Sequence, residues 1–374
     1  MKIQKIYLHP YEIPLINGQL RKGYLLKLCD QKGREGFGDM APLPKWSKET
    51  LEEALDSLNQ KKDVILDVDW TSGNCLNLET AVRDGKLMQD LELESFCNGV
   101  GHSQMVKDHP IANDFGSRDC VKLPSPTAVF RLKELKSLNL LPSASFALES
   151  ALLSLLSPLP KFEIEASALF MGSLQDIFEQ AAIGEKEGFK SAKLKVSHLS
   201  FNEAYQAIQQ LKNTFYLRID VNRAWKTKDS LHFFSQFSLD AFDYVEEPFE
   251  NPKDLVKFTH PLAVDESFPH DLTLKELQAL PTLKALIYKP TMQGGMLALK
   301  PLHEWAQKRG VAIVLSSSFE SDIGLSNIAS LAKRLSMDAP IGIGTYRYLT
   351  QTLARPQLLF VGPNVTIPAL KVNL

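Results

Sequence analysis

The chain has 374 residues, 23% of them charged and 44% hydrophobic, with a formal net charge of −2. That balance belongs to a globular chain with ample core, and it excludes the basic surface that nucleic acid or an anionic membrane requires. The four cysteines, Cys29, Cys75, Cys97 and Cys120, form no C-x-x-C pair and no zinc-like spacing, which predicts incidental reduced thiols.

The length allows roughly two domains. Met1 to Leu8 runs straight into an alternating strand pattern with no charged-then-apolar leader, so the expected location is the cytoplasm. Residues 1 to 40 read as a β-meander, with turn chemistry at Asp30-Gln31-Lys32-Gly33. The proline-rich loop Ala41-Pro42-Leu43-Pro44-Lys45-Trp46 follows, whose tryptophan is either a structural plug or a lid. Ser47 is the expected N-cap of a helix from Glu49 to Leu58. Residues 60 to 140 carry loop-like stretches and weak helical patterns, with His102 and His109 read as surface histidines. A helix from Pro142 to Leu156 is too short to span a bilayer, and it closes at Ser157-Pro158-Leu159-Pro160. Three parts are expected: an α+β domain over 1–158, a second domain over 159–350, and a tail over 351–374 that packs back on the first.

From residue 159 strands alternate with helices of similar length. The predicted strands are 164–170, 191–197, 216–220, 241–246, 262–265, 285–289, 312–316 and 341–344. Helices are expected at 174–187, 298–308 and 323–335, among others. Eight strands, all but the last mostly followed by a helix, predict an α/β fold of the (β/α)7β type, a modified TIM barrel.

Within Ser191-Ala192-Lys193-Leu194-Lys195-Val196-Ser197, strand alternation sends Lys193 and Lys195 to one side. Taken alone, the pair reads as solvated lysines on an edge strand. The later strand ends change that. Lys195, Asp220, Glu246, Asp265 and Lys289 each close an apolar strand, at separations of 25, 26, 19 and 24 residues. That is one βα unit per step, which places all five around the C-terminal mouth where barrel enzymes keep their sites. Three convergent carboxylates repel one another, and a divalent cation resolves the conflict. All-oxygen ligands point to a hard ion, and Mg²⁺ suits them, with Mn²⁺ able to substitute. A cation between two lysines suits proton abstraction next to a substrate carboxylate, with one lysine as base and the other on the opposite face. Two buried lysines side by side also disfavour each other's charge, which would make a base near neutral pH of one of them.

These motifs resemble the enolase superfamily over nearly the whole chain, and a lysine base working with Mg²⁺ is characteristic of that superfamily. More narrowly, the sequence is similar to the o-succinylbenzoate synthase family of menaquinone biosynthesis, close to the enterobacterial type. The narrowing segments are Asp220-Val221-Asn222-Arg223-Ala224-Trp225 and Ser316-Ser317-Ser318-Phe319-Glu320-Ser321. Glu246-Glu247-Pro248, Asp265-Glu266-Ser267, Lys289-Pro290-Thr291 and Ala41-Pro42-Leu43-Pro44 also match. The resemblance implies an N-terminal capping domain and a Mg²⁺-dependent lyase acting on a small-molecule carboxylate. Asp220, Glu246 and Asp265 would be metal ligands. Lys195 would be the base, Lys289 the opposing cation, and Lys193 the tuner. Arg218, backbone amides at Ser316, Ser317 and Ser318, and the capping loop with Pro44 and Trp46 would hold substrate. Glu247 is expected to be structural and Asn222 either a substrate contact or a support. Two departures stand out: a capping region over 60–140 longer than the pattern needs, and Gly344 where an acid is expected. A dipeptide epimerase or N-acylamino acid racemase of the same superfamily is the alternative, and a Schiff-base or non-catalytic barrel a third. No nucleic-acid or membrane partner is expected, and the oligomeric state is left open, a monomer included.

Overall fold

The computed structural model describes residues 1–70, 76–77, 129–130 and 132–369. Cys75, Cys97, Cys120, His102 and His109 lie outside the described residues, as does most of the segment from 60 to 140. Cys29 carries no disulfide.

The expected meander forms. Strands β1 (Ile3–Pro14), β2 (Leu20–Asp30) and β3 (Glu35–Met40) make an antiparallel sheet in sequence order. Helix α1 (Leu51–Asn59) starts later than predicted, with Thr50 as N-cap in a capping box with Glu53. Ser47 instead closes the proline-rich loop, its hydroxyl accepting from the Leu43 amide at 2.8 Å. Helix α2 (Lys62–Asp67), the short pair β4 (Leu76–Asn77) and β5 (Val129–Phe130), and α3 (Leu132–Ser137) follow.

Helix α4 (Pro142–Leu156) lies where the sequence places it and is buried on nearly every side. Two glycines explain how close it comes to β3. A Cβ on Gly36 would stand 2.1 Å from the Ala151 carbonyl, and one on Gly38 would stand 1.9 Å from that of Ala147. Glycines at i and i+2 of a strand therefore seat alanines at i and i+4 of a helix.

The second half is built on a curled, seven-stranded parallel sheet. Its strands are β7 (Ala168–Phe170), β8 (Ser191–Lys195), β9 (Tyr216–Asp220), β10 (Tyr244–Glu246), β11 (Leu262–Val264), β12 (Leu283–Tyr288) and β13 (Ala312–Leu315), paired in sequence order. The helices between them are α5 (Leu174–Lys186), α6 (Phe201–Leu211), α7 (Thr227–Phe234), α8 (Leu274–Gln278), α9 (Pro290–Gln293) and α10 (Met296–Gln307), with α11 (Asp322–Arg334) after β13. Capping boxes at Ser173, Ser200 and Thr273 start α5, α6 and α8.

Two sequence expectations change. The single strand predicted over 164–170 divides into β6 (Phe162–Glu165) and β7, and the two join different sheets. β6 pairs antiparallel with β15 (Asn364–Ile367), which pairs with β14 (Leu359–Val361). The eighth strand predicted over 341–344 reduces to two isolated parallel bridges, Ala166 with Ile341 and Ser316 with Gly342. No described helix is long and apolar enough to cross a membrane.

Candidate active site

Strand register brings the predicted residues together. Lys195 lies beside Asp220 across β8–β9, and Asp220 beside Glu246 across β9–β10. Asp265 follows the last residue of β11 and Lys289 the last residue of β12. Apolar strand bodies such as Ile219, Val245 and Val264 are buried, and each strand's first polar residue beyond them is delivered to the same rim.

The charged groups are in contact. Lys193 Nζ donates to Glu246 Oε1 and Oε2 at 2.7 and 2.8 Å and lies 2.8 Å from Asp220 Oδ2. Lys195 Nζ donates to Asn222 Oδ1 at 3.1 Å and stands 3.3 Å from Asp220 Oδ2. Lys289 Nζ pairs with Asp265. The Lys195 side chain is 30% exposed, against 17% for Lys193, so Lys195 is the more open to a ligand.

Around Lys193 the carboxylates outweigh the like-charge effect expected there. Burial works against the charge of Lys193, but Asp220, Glu246 and Asp265 outweigh it and hold the ammonium well above the ordinary lysine range. Lys289 is also raised, with Asp265 prevailing over burial. Burial opposes ionisation of Asp220, yet Lys193 and Lys195 draw it down to about 2. Burial, then repulsion from Asp220, pushes Glu246 up in spite of Lys193. Three carboxylates thus meet three lysine ammonium groups, with Lys193 shared between Asp220 and Glu246.

The backbone is bent to this purpose. Asn222, Arg223, Glu247 and Phe319 all follow strand ends and take positive φ, at 47°, 58°, 47° and 61°. Glu247 turns away from Glu246, as expected, and accepts from the Asp265 and Ser267 amides at 2.8 and 2.9 Å and from the Ser267 hydroxyl at 2.5 Å. It therefore orients Asp265.

A cavity of about 190 Å³ opens above these groups. Lys193, Lys195, Lys289, Asn222, Trp46 and the serines 316 to 318 line it. Pro44 and Arg218 do not. Pro44 is exposed on the outside of its loop. The Arg218 guanidinium, expected to hold substrate, is occupied by Asp243 at 2.9 Å and by Ser167 Oγ and the Pro340 carbonyl at 2.8 Å, and it stacks on Tyr244. The amides of the serine segment are occupied as well: Ser316 donates to the Tyr288 carbonyl, Ser317 to that of Gly342, and Ser318 to Glu320. The Ser318 hydroxyl is the buried group there without a partner. Trp225 is buried among Phe201, Phe233 and Phe234 and serves packing.

Leu169, Met171 and Met292 also line the cavity without having been expected there, and Leu43 and Phe319 join them from the matching motifs. Met171 and Met292 each lie just past a strand end, the one signal that could have found them. Arg21 of β2 had no such signal. It is buried and donates to the Ala41 and Pro42 carbonyls of the capping loop and, at 3.1 Å, to the Phe319 carbonyl.

A family model described as enolase C-terminal domain-like matches residues 176–369. The chain belongs to that family. A second model, described as the MenC N-terminal domain, matches residues 6–77. The o-succinylbenzoate synthase of Proteus mirabilis (strain HI4320) is 26% identical, covering 94% of this chain and 90% of the relative. That of Klebsiella pneumoniae (strain 342) is 24% identical, covering 100% and 98%. Among solved structures, the L-Ala-D/L-Glu epimerase of Bacillus subtilis superposes with a TM-score of 0.71 at 17% identity, covering 100% and 98%, a likeness of fold.

Proposed function

We propose that the chain is a lyase that dehydrates 2-succinyl-6-hydroxy-2,4-cyclohexadiene-1-carboxylate to 2-succinylbenzoate, the o-succinylbenzoate synthase reaction of menaquinone biosynthesis. The observation that carries the chemistry is the meeting of Lys195 and Lys289 in the lining of one cavity, each paired with a carboxylate, Asp220 and Asp265 respectively. The relatives of matching length carry the choice of substrate.

The three carboxylates are all-oxygen donors, and Asp220 Oδ2, beyond its ion pairs with the two lysines, is a buried atom without a hydrogen bond. As placed, the described residues do not converge on one ion, because Lys193 and Lys289 ammonium groups sit against them. The all-oxygen donor chemistry fits a hard divalent cation, which we take to be Mg²⁺ held by Asp220, Glu246 and Asp265. When bound, it neutralises the substrate carboxylate and so acidifies the neighbouring C–H.

Lys195 Nζ, steadied by Asn222, takes the proton next to the carboxylate. Lys289 presents its ammonium to the opposite face. Lys195 then returns its proton to the departing hydroxyl, so that water leaves and an aromatic ring forms. Lys193 acts by holding Asp220 and Glu246 in place. The Ser318 hydroxyl is a polar contact for the succinyl arm, with Trp46 and Leu43 above it. We further read the bridges at Ile341 and Gly342 as an eighth strand that closes a barrel over 159–350, capped by 1–158. We read the tail that begins at residue 351 as a separate part; over its described residues, to 369, it pairs with β6 through β15 and reaches the first part through Gln351, which donates to the Glu12 carbonyl at 2.9 Å.

Purified protein with Mg²⁺ is expected to form the aromatic product from the diene, and Lys195→Ala is expected to lose that activity. Exchange of solvent deuterium into an N-acylamino acid without any dehydration would instead support two-base epimerisation, which the same pair of lysines could perform.

A further inference from the structure

A second cavity, of about 130 Å³, lies at the seam of α4, α11 and β15 and shares no lining residue with the lysine cavity. Asn327 and Arg334, two turns apart on one face of α11, look across it towards Ser150 of α4. Three hydrogen-bonding atoms there are buried without a partner: Arg334 Nε, Asn327 Nδ2 and Ser150 Oγ. Ser150 and Asn327 are 5% and 3% exposed.

Arg334 has part of an explanation already. Its Nη2 donates to the Leu153 carbonyl at 3.4 Å and to that of Ser157, and its Nη1 to Ser157 Oγ at 3.4 Å. It thus caps the C-terminal end of α4, whose dipole offsets about half a charge. No carboxylate among the described residues pairs with it. Glu35, the acid on the cavity rim, is taken by Lys27 at 2.6 Å. Burial without a counter-charge draws Arg334 down to about 10. The rest of the lining holds the apolar side chains of Leu153, Phe162 and Ile367, together with Ser154 and Ser330, whose hydroxyls are spent on the Ala151 and Ser326 carbonyls.

A half-buried guanidinium whose Nε is buried and unpartnered, beside two further unpartnered donors, calls for an acceptor, and apolar side chains call for carbon. We infer that this cavity binds a small organic carboxylate, its oxygens on Arg334, Asn327 and Ser150 and its apolar body on Leu153, Phe162 and Ile367. Inorganic phosphate satisfies the donors but leaves the apolar wall uncovered.

The test is crystallisation of the full chain with 4-bromobenzoate, paired with calorimetric titration of benzoate and of inorganic phosphate. The expected result is a bromine anomalous peak in this cavity with the carboxylate on Arg334. In titration, Arg334→Gln should weaken the benzoate isotherm by about ten- to a hundredfold, the loss of a charge-assisted hydrogen bond. Because Arg334→Gln also uncaps α4, Ser150→Val and Asn327→Leu serve as the second pair, and each should weaken binding without lowering the melting temperature. Water alone in the cavity, a peak in the crystal without heat in solution, unchanged affinity in all three variants, or phosphate binding as tightly as benzoate would each overturn the inference.

Discussion

Ser321 Oγ donates to Asp39 Oδ2 at 2.7 Å, joining residues 282 positions apart across the seam between the N-terminal sheet and the parallel sheet. The same Oδ2 accepts the Ser321 amide at 2.9 Å, and Oδ1 accepts the Tyr11 hydroxyl at 2.7 Å. Ser321 is also the N-cap of α11. One buried carboxylate therefore ties β1, β3 and the serine-rich wall of the lysine cavity, while Arg21 ties that wall to the capping loop.

Replacing Asp39 by Asn removes an acceptor and sets an amide N–H against donors. We expect Asp39→Asn to cost about 2–3 kcal/mol of stability, the range for charge-assisted hydrogen bonds in a buried site, and to raise KM more than it lowers kcat. A chemical denaturation curve beside steady-state kinetics checks both. An unchanged KM would show that the link serves stability alone.

Lys195→Ala is expected to lower kcat by about 10²–10⁴-fold, the usual contribution of a positioned general base. Its circular dichroism and melting temperature should stay near those of the parent, because Lys195 is the more exposed of the strand's two lysines. Lys193→Ala should differ: it strips the ammonium from Asp220 and Glu246, and the melting temperature should fall with the activity.

Treatment with EDTA is expected to abolish turnover, and added Mg²⁺ to restore it. In thermal melts, Mg²⁺ at about a hundred times its dissociation constant should add about 2.7 kcal/mol. Asp220→Asn should erase that gain. A melt that ignores Mg²⁺ in the parent protein would remove the three carboxylates from the role of ligands.

Glu149 gives a pH dependence remote from the lysines. Burial raises its carboxyl from 4.5 to about 7, although Ser145 Oγ at 2.7 Å and the Leu297 amide at 2.9 Å donate to it. A raised folded-state value means that folding favours the protonated form. Its contribution is therefore fully present below pH 4.5 and is lost as pH rises to about 7. At about 1.4 kcal/mol per pH unit that is a loss of about 3 kcal/mol. Comparison of Glu149→Gln with the parent in urea at pH 5 and pH 7.5 isolates it: the variant should show the flatter profile by about that amount.

The ring of charged strand ends was legible in the chain because its determinants are local. An apolar run followed by one charged residue makes a strand end, and βα units of regular length repeat it, so Lys195, Asp220, Glu246, Asp265 and Lys289 could be aligned without a structure. The same locality placed α4 to the residue.

What tertiary structure alone decided was where groups of identical local appearance spend their hydrogen bonds. Arg218 has the alternation of a rim residue, yet Asp243 and Ser167, brought beside it by neighbouring strands, consume its guanidinium. The serine amides look available in sequence, but Tyr288, Gly342 and Glu320 already hold them. Strand 164–170 splits because β15, about 200 residues on, competes for its first half. Asp39 finds Ser321, and Glu149 finds the start of α10, only after the two halves pack. Strand ends follow from alternation along a few residues, whereas partners depend on which distant surfaces meet, and burial then makes each of those meetings count.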